Sequence, residues 1–71
     1  MKKGKIERTE EFWNWLKLNE DWLLLVRLRA WEISDQQLAL EIEEEWGSEW
    51  EEVDWLRIAE YLSESIGKGR V

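Results

Sequence analysis

Seven tryptophans in 71 residues are the feature that most limits how this chain can fold. A chain so short has few other ways to fill a hydrophobic core. A buried tryptophan removes about 150–250 Å² from water, more than any aliphatic side chain does. With Phe12 and Tyr61, the chain holds nine aromatic residues. We therefore expect one domain built around aromatic rings. Either its core holds all seven tryptophans, or some stay exposed or are covered by a second copy or a partner.

Cysteine, histidine and proline are absent from the sequence, and two of these absences exclude several classes of site. The chain can form no disulfide framework and no Cys/His zinc site, and it has no thiol or imidazole for catalysis. No apolar run reaches the roughly 18 residues of a membrane span. We predict a cytoplasmic, non-catalytic protein that uses no cofactor or metal and binds neither membranes nor a small-molecule substrate.

Acidic residues are concentrated in the second half of the chain. Residues 1–31 carry five acids and seven bases, whereas residues 32–64 carry twelve acids and one base, Arg57, for a net charge of −11. Such a segment repels nucleic acid and attracts a basic surface, more weakly as salt rises. We therefore predict no direct binding to nucleic acid. An ordinary solvated helix face is the alternative interpretation of the same charges.

Capping signals divide the chain into predicted helices. Four residues of the types that cap helix N-termini precede apolar runs, namely Thr9, Asn19, Ser34 and Ser48. Gly47 and Gly67 follow the third and fourth runs, where a left-handed residue would end a helix. These signals predict helices over about 10–18, 20–33, 35–46 and 49–66. Residues 9–66 would form one compact domain, with residues 1–8 and 67–71 as mobile basic ends.

The predicted fold is all-α, a small bundle of three to four short helices. The alternative is an α+β fold, because even-numbered positions from Phe12 to Ala30 alternate as in a strand. Residues 10–33 would then form a β-hairpin, and 37–43 a third strand of a meander packed by the C-terminal helix, with acids opposite Arg27 and Arg29. The repeated caps and the scarcity of β-branched residues favour helices. Residues 20–33 would be a buried central helix, since they are apolar nearly all round.

Helical spacing assigns faces to the two C-terminal helices. Leu38, Ala39, Ile42 and Trp46 share one side of the third helix, and Leu40 points away with the acids. On the fourth, an inward stripe consists of Trp55, Ile58, Ala59, Leu62 and Ile66, and a second stripe of Trp50, Val53, Arg57 and Tyr61. In the second stripe the guanidinium can lie against the tyrosine ring. This stripe has the composition of a protein-binding hot spot, or is where the N-terminal half packs.

These patterns suggest a small acidic module that docks on a basic protein surface, in its sharpest form an inhibitor or regulator occupying a nucleic-acid-binding groove. The predicted partner-binding residues are Glu41, Glu44, Glu45, Trp50, Glu51, Glu52, Asp54, Arg57 and Tyr61. Their carboxylates would stand in for phosphates, and the aromatic and arginine side chains would anchor the complex.

The alternative function is a structural or self-associating scaffold, such as a homodimer or a designed protein without a natural function. Clean helix capping and the absence of proline, cysteine and histidine are typical of design. A helix-turn-helix DNA reader is disfavoured, because the second helix would present acids to a polyanion.

Overall fold

The computed structural model describes residues 4–67, which form four α-helices and no strand. The helices are α1 (Lys5–Leu18), α2 (Glu20–Glu32), α3 (Asp35–Trp46) and α4 (Trp55–Ser65). The all-α prediction is confirmed. The alternative hairpin and meander are wrong, because residues 10–18, 20–32 and 37–43 lie in helices.

Helix α1 begins at Lys5, more than a turn before the predicted start. Thr9 lies inside the helix instead of capping it: its buried hydroxyl donates to the Lys5 carbonyl at 2.7 Å and accepts from the Asp54 amide at 2.8 Å. Threonine can bond the carbonyl four residues back, so it is compatible with a helix interior as well as a cap. Residues 5–8 of the predicted basic N-terminus therefore belong to α1. Residues 1–3 and 68–71 lie outside the described residues.

The next two predicted caps behave differently from each other. Ser34 is the N-cap of α3, and its side chain accepts from the Gln37 amide at 3.2 Å, which confirms this prediction. Asn19 occupies the N-cap position of α2, but its side chain makes no capping bond there. Its Nδ2 donates instead to the Trp15 carbonyl at 2.7 Å, so the side chain closes α1.

The capping box at Ser48 is not used, and residues 47–54 form a non-helical loop. Helix α4 begins at Trp55, where the Asp54 carboxylate accepts from the Arg57 amide at 3.2 Å, so the predicted start at 49 is wrong. Gly47 ends α3 with φ −59°, not in the left-handed region. A Cβ at Gly47 would clash with the Glu43 carbonyl oxygen, so a close approach requires glycine there.

Positive φ angles occur at two described residues, Glu52 and Gly67. Gly67, just beyond α4, has φ +74°, which confirms the predicted left-handed residue. Within the loop, Glu52 has φ 63°, a conformation that costs a non-glycine residue about 1–2 kcal/mol.

The core lies between the four helices, with the most extensive packing between α3 and α4. The predicted inward faces of these two helices are confirmed. Their buried residues are Leu38, Ala39, Ile42, Trp46, Ile58, Ala59 and Leu62, and Trp55 and Ile66 pack partly buried against them. Leu40 is 61% exposed, as its position opposite the core face predicted.

Phe12 of α1 is the centre of an aromatic cluster that joins three helices and the loop. Its fully buried ring lies 5.0–5.6 Å, between centroids, from the rings of Trp15, Trp46, Trp50 and Trp55. Three of these contacts are edge-to-face, the arrangement that the charge distribution of aromatic rings favours. Tryptophans therefore do supply much of this small core.

Helix α2 is not the buried central helix that its composition predicted. Leu23, Val26 and Ala30 are buried on one side, whereas the other side is open to solvent. Trp22 and Trp31 are 41% and 59% exposed, so the core encloses neither of these two tryptophans, although the Trp22 ring contacts the buried Trp46 ring at 5.2 Å. A domain of this size cannot surround a helix on all sides, since too little chain is left to cover it.

Candidate functional site

The structure places eight of the nine predicted partner-binding residues in three separate surface depressions. Trp50, Glu51 and Glu52 line a groove of about 850 Å³ between the start of α1 and the 47–54 loop. Asp54, Arg57 and Tyr61 line a pocket of about 320 Å³ between α1 and α4. Glu41 and Glu45 line a cleft of about 140 Å³ between α2 and α3. Glu44 is exposed on α3 and lines none of these three.

We call the first depression the acid–tryptophan groove. It is lined by Gly4, Lys5, Glu43, Gly47, Trp50, Glu51, Glu52, Val53 and Trp55. The three glutamates are exposed, whereas both tryptophans are half-buried because their rings pack on Phe12. The groove therefore combines exposed glutamates with indole rings that pack on the core.

Trp50 already contacts one cation of its own chain. The guanidinium carbon of Arg8 lies 4.8 Å from the Trp50 ring centroid, and Arg8 Nε is 3.4 Å from the carbonyl oxygen of Glu51 to which it donates. Arg8 also pairs with the carboxylate of Glu11 at 3.1 Å. This arrangement joins α1 to the loop, and it shows that the indole is placed for cation–π contact.

The predicted second stripe is not a row along one helix, because Trp50 and Val53 precede α4. Both of its rings pack against α1: Trp50 lies 5.2 Å from Phe12, and Tyr61 lies 5.3 Å from Trp13. This is the arrangement expected if the stripe is where the N-terminal half packs. The predicted pair within α4 is present, with the Arg57 guanidinium 4.8 Å from the Tyr61 ring centroid.

Glu41 is neutralised within the chain. Arg29 of α2 donates from Nε and Nη2 to the two carboxylate oxygens of Glu41, each at 2.9 Å, and it also pairs with Glu32 at 3.0 Å. The hydrogen bonds from Arg29 hold the pKa of Glu41 below its ordinary value, and those to Glu41 raise the pKa of Arg29. Glu41 therefore contributes little charge to an outward acidic surface. The packing of α2 against α3 therefore pairs Arg29 with an acid, a pairing that the sequence analysis expected only if the two segments formed strands of a sheet.

Asp54 also has a structural partner, since its carboxylate caps α4. The other six acids between positions 41 and 54 are exposed, namely Glu43, Glu44, Glu45, Glu49, Glu51 and Glu52. Glu43 lines the groove although the sequence prediction omitted it. Glu43 lies one helical turn before Gly47, so it is beside the loop because α3 ends at Trp46. The sequence prediction did not use this position of the helix end.

Buried polar side chains are satisfied in the part of the chain that the structure describes. Every buried side-chain nitrogen and oxygen of residues 4–67 has a hydrogen-bond partner. Within the same range, no three acidic side chains converge as they would around a metal ion, and no helix has the length and apolar character needed to cross a membrane. Surface depressions are therefore the candidate sites.

Comparison of the chain with protein-family models, curated proteins and solved structures gave no match. The functional interpretation therefore depends on the chemistry of the groove.

Proposed function

We propose that this protein is a non-catalytic binding module whose acid–tryptophan groove takes up an arginine- or lysine-rich segment of a partner protein. One observation carries the proposal: the carboxylates of Glu43, Glu51 and Glu52 line the same groove as the rings of Trp50 and Trp55. Carboxylates and indole faces are the two kinds of group that bind guanidinium and ammonium ions. Arg8 on Trp50 is an example of that contact within the chain itself.

A nucleic-acid-binding surface is the kind of basic surface that we propose as the target. The −11 segment attracts such a surface and repels its usual ligand, so the module would act as an inhibitor or regulator by occupying the phosphate-binding positions. Glu44 and Glu45, outside the groove, add to the long-range attraction and raise the association rate more than the affinity.

The absence of catalysis is part of the proposal. Several hydroxyls that could serve as nucleophiles are engaged in structural bonds. The Ser34 hydroxyl caps α3, that of Thr9 joins α1 to Asp54, and that of Ser63 donates to Asp35. The sequence contains no histidine or cysteine to activate a hydroxyl or replace it.

A synthetic arginine–glycine repeat peptide tests the groove directly. The peptide should bind and change the tryptophan fluorescence, and its affinity should fall steeply between about 0.01 M and 0.15 M salt, as the Debye length shrinks from about 30 to 8 Å. The double variant Glu43→Gln, Glu51→Gln should bind at least about ten-fold more weakly, because it removes two of the carboxylates in the groove.

A matched control separates the groove from overall charge. Glu20→Gln with Glu64→Gln removes the same number of charges from exposed positions on α2 and α4, and should weaken binding by no more than about two-fold. Equal losses in the two double variants would contradict a specific site, as would an affinity that does not change with salt. Competition with DNA for a basic DNA-binding protein then tests the proposed inhibition.

A self-associating scaffold is the second candidate function. It is favoured by one specific observation, the solvent-exposed apolar side of α2. Its chemistry differs from that of the groove, because association would depend on burial of apolar side chains.

A further inference from the structure

A second depression adjoins the acid–tryptophan groove. It is the pocket of about 320 Å³ between α1 and α4, which we call the α1–α4 pocket. Lys5 lines both depressions. Asp54, which lines the pocket, lies in the chain between Val53 and Trp55, which line the groove. The two depressions are therefore neighbouring parts of one surface, and a peptide that lies in the groove can continue into the pocket.

The two depressions carry different charges. The groove is lined by three glutamates and one lysine. The pocket is lined by two bases, Lys5 and Arg57, and two acids, Glu10 and Asp54. Asp54 is already engaged, because its carboxylate accepts from the Arg57 amide at 3.2 Å and caps α4. Since Arg57 is the only base of residues 32–64, the pocket is where the acidic half of the chain offers a cation to a ligand.

Both bases of the pocket are available to a carboxylate. Neither Lys5 nor Arg57 forms an ion pair with an acid within residues 4–67. The Arg57 guanidinium lies instead 4.8 Å from the Tyr61 ring centroid, and the Tyr61 hydroxyl raises the pKa of Arg57 more than the glutamates of α4 do. A guanidinium has five N–H donors, so contact with one ring leaves donors for a carboxylate, which can accept two of them in parallel.

We infer that the α1–α4 pocket is a second subsite of the same binding surface and takes an acidic side chain of the partner segment. The inference rests on the proposed function, because the basic residues of that segment must occupy the groove. Arg57 binds the carboxylate while the Tyr61 ring supports the guanidinium, and Lys5, at the junction of the two depressions, adds a second positive charge. The partner is then recognised by a carboxylate close to its arginines or lysines, not by a run of bases alone.

The sizes of the depressions set the spacing of these charges in the partner. Volumes of about 850 and 320 Å³ correspond to widths of roughly 9 and 7 Å, which places the two centres about 8 Å apart, or about two to three residues of an extended chain. The carboxylate therefore belongs two or three residues from the last base of the segment.

A glutamate added to the arginine–glycine peptide tests the inference by the sign of its effect. One peptide carries the glutamate three residues from its last arginine, a matched peptide carries glutamine there, and each is made with the extra residue at either end to cover both directions of binding. General attraction to a protein of net charge −7 predicts weaker binding of the glutamate peptide, because it is less positive. The subsite predicts the opposite. For one of the two directions, the glutamate peptide should bind about three- to five-fold more tightly at about 0.15 M salt, the gain typical of an exposed ion pair.

Substitution of Arg57 locates the effect. Arg57→Gln should abolish the preference for glutamate while the glutamine peptide still binds, whereas Arg27→Gln, on α2 and outside both depressions, should retain the preference. Isothermal titration calorimetry measures each affinity, and circular dichroism checks that both variants are folded. A preference that survives in Arg57→Gln, or a glutamate peptide that binds no better than the glutamine peptide in either direction, would overturn the inference and leave the proposed function intact. If none of the peptides binds, the proposed function itself is wrong, and the second subsite with it.

Discussion

Replacement of Phe12 by leucine is the most direct test of the aromatic cluster. Leucine fills much of the same space with apolar atoms, so Phe12→Leu removes the ring contacts without leaving a large cavity. The Phe12 ring has four tryptophan neighbours at 5.0–5.6 Å, and each such contact contributes about 0.5–1.5 kcal/mol beyond the area it buries. Because the surrounding rings can partly repack, we expect a loss of about 2–3 kcal/mol in the free energy of unfolding.

This loss is large for so small a domain. At about 0.05–0.15 kcal/mol per residue, a chain of this length has a total stability of about 4–10 kcal/mol. The expected loss would lower the melting temperature by about 10–20 °C and the urea midpoint by about 2 M. Phe12→Ala would cost about 3–5 kcal/mol, enough to unfold a marginal chain, so leucine is the more informative substitution.

Urea titration followed by tryptophan fluorescence and by circular dichroism measures this change, at a protein concentration held constant across variants. Leu40→Ala is the matched control, because Leu40 is 61% exposed and its truncation should change stability by less than about 0.5 kcal/mol. If Phe12→Leu lowers the free energy of unfolding no more than Leu40→Ala does, the ring contacts of Phe12 do not stabilise the fold.

Further substitutions test the bonds around the loop and the pair between α2 and α3. Thr9→Val should cost about 1–2 kcal/mol because the Asp54 amide loses its acceptor, whereas Thr9→Ser, which keeps the hydroxyl, should cost less in the same urea titration. Asp54→Ala should cost about 1 kcal/mol as the N-cap of α4, and Ser48→Ala less than about 0.5 kcal/mol; a reversed order would support the sequence prediction against the structure. The hydrogen bonds from Arg29 lower the pKa of Glu41 below its ordinary value of 4.5. The ion pair therefore stabilises the fold at pH values above 4.5, and this stabilisation is lost as the pH falls through the lowered pKa. The melting temperature of Glu41→Gln should therefore fall less steeply than that of the parent between about pH 5 and pH 3, and parallel curves would contradict the pair.

Much of the fold was predictable because the C-terminal helices carry strong local signals. The apolar residues of α3 and α4 recur at helical spacing, and Ser34 has the local partners of a cap, so short-range rules were sufficient. The boundaries at Thr9 and Ser48 were wrong, because serine and threonine are compatible with several local geometries. The Thr9 hydroxyl bonds the distant Asp54 amide from inside α1, and Asp54, not Ser48, caps α4.

The candidate site was only partly predictable. The excess of acids was visible in the sequence, but their division into separate groups was not, because it depends on which helix packs beside each carboxylate. Glu41 meets Arg29 across the α2–α3 packing, and Trp50 enters the aromatic cluster, since the end of α3 turns the loop toward α1.

From the sequence alone, a helical fold was favoured over an α+β fold, aromatic rings were expected in the core, and the acidity of the C-terminal half was certain. Periodicity, composition and charge are local or additive properties, so they do not depend on how the helices meet. The packing of the four helices, in contrast, was needed to see that α2 exposes one side and that Glu43 lines a groove with Trp50 and Trp55. Whether a side chain is buried or paired depends on residues far away in the chain, and the short length of the domain leaves part of an apolar helix without any neighbour to cover it.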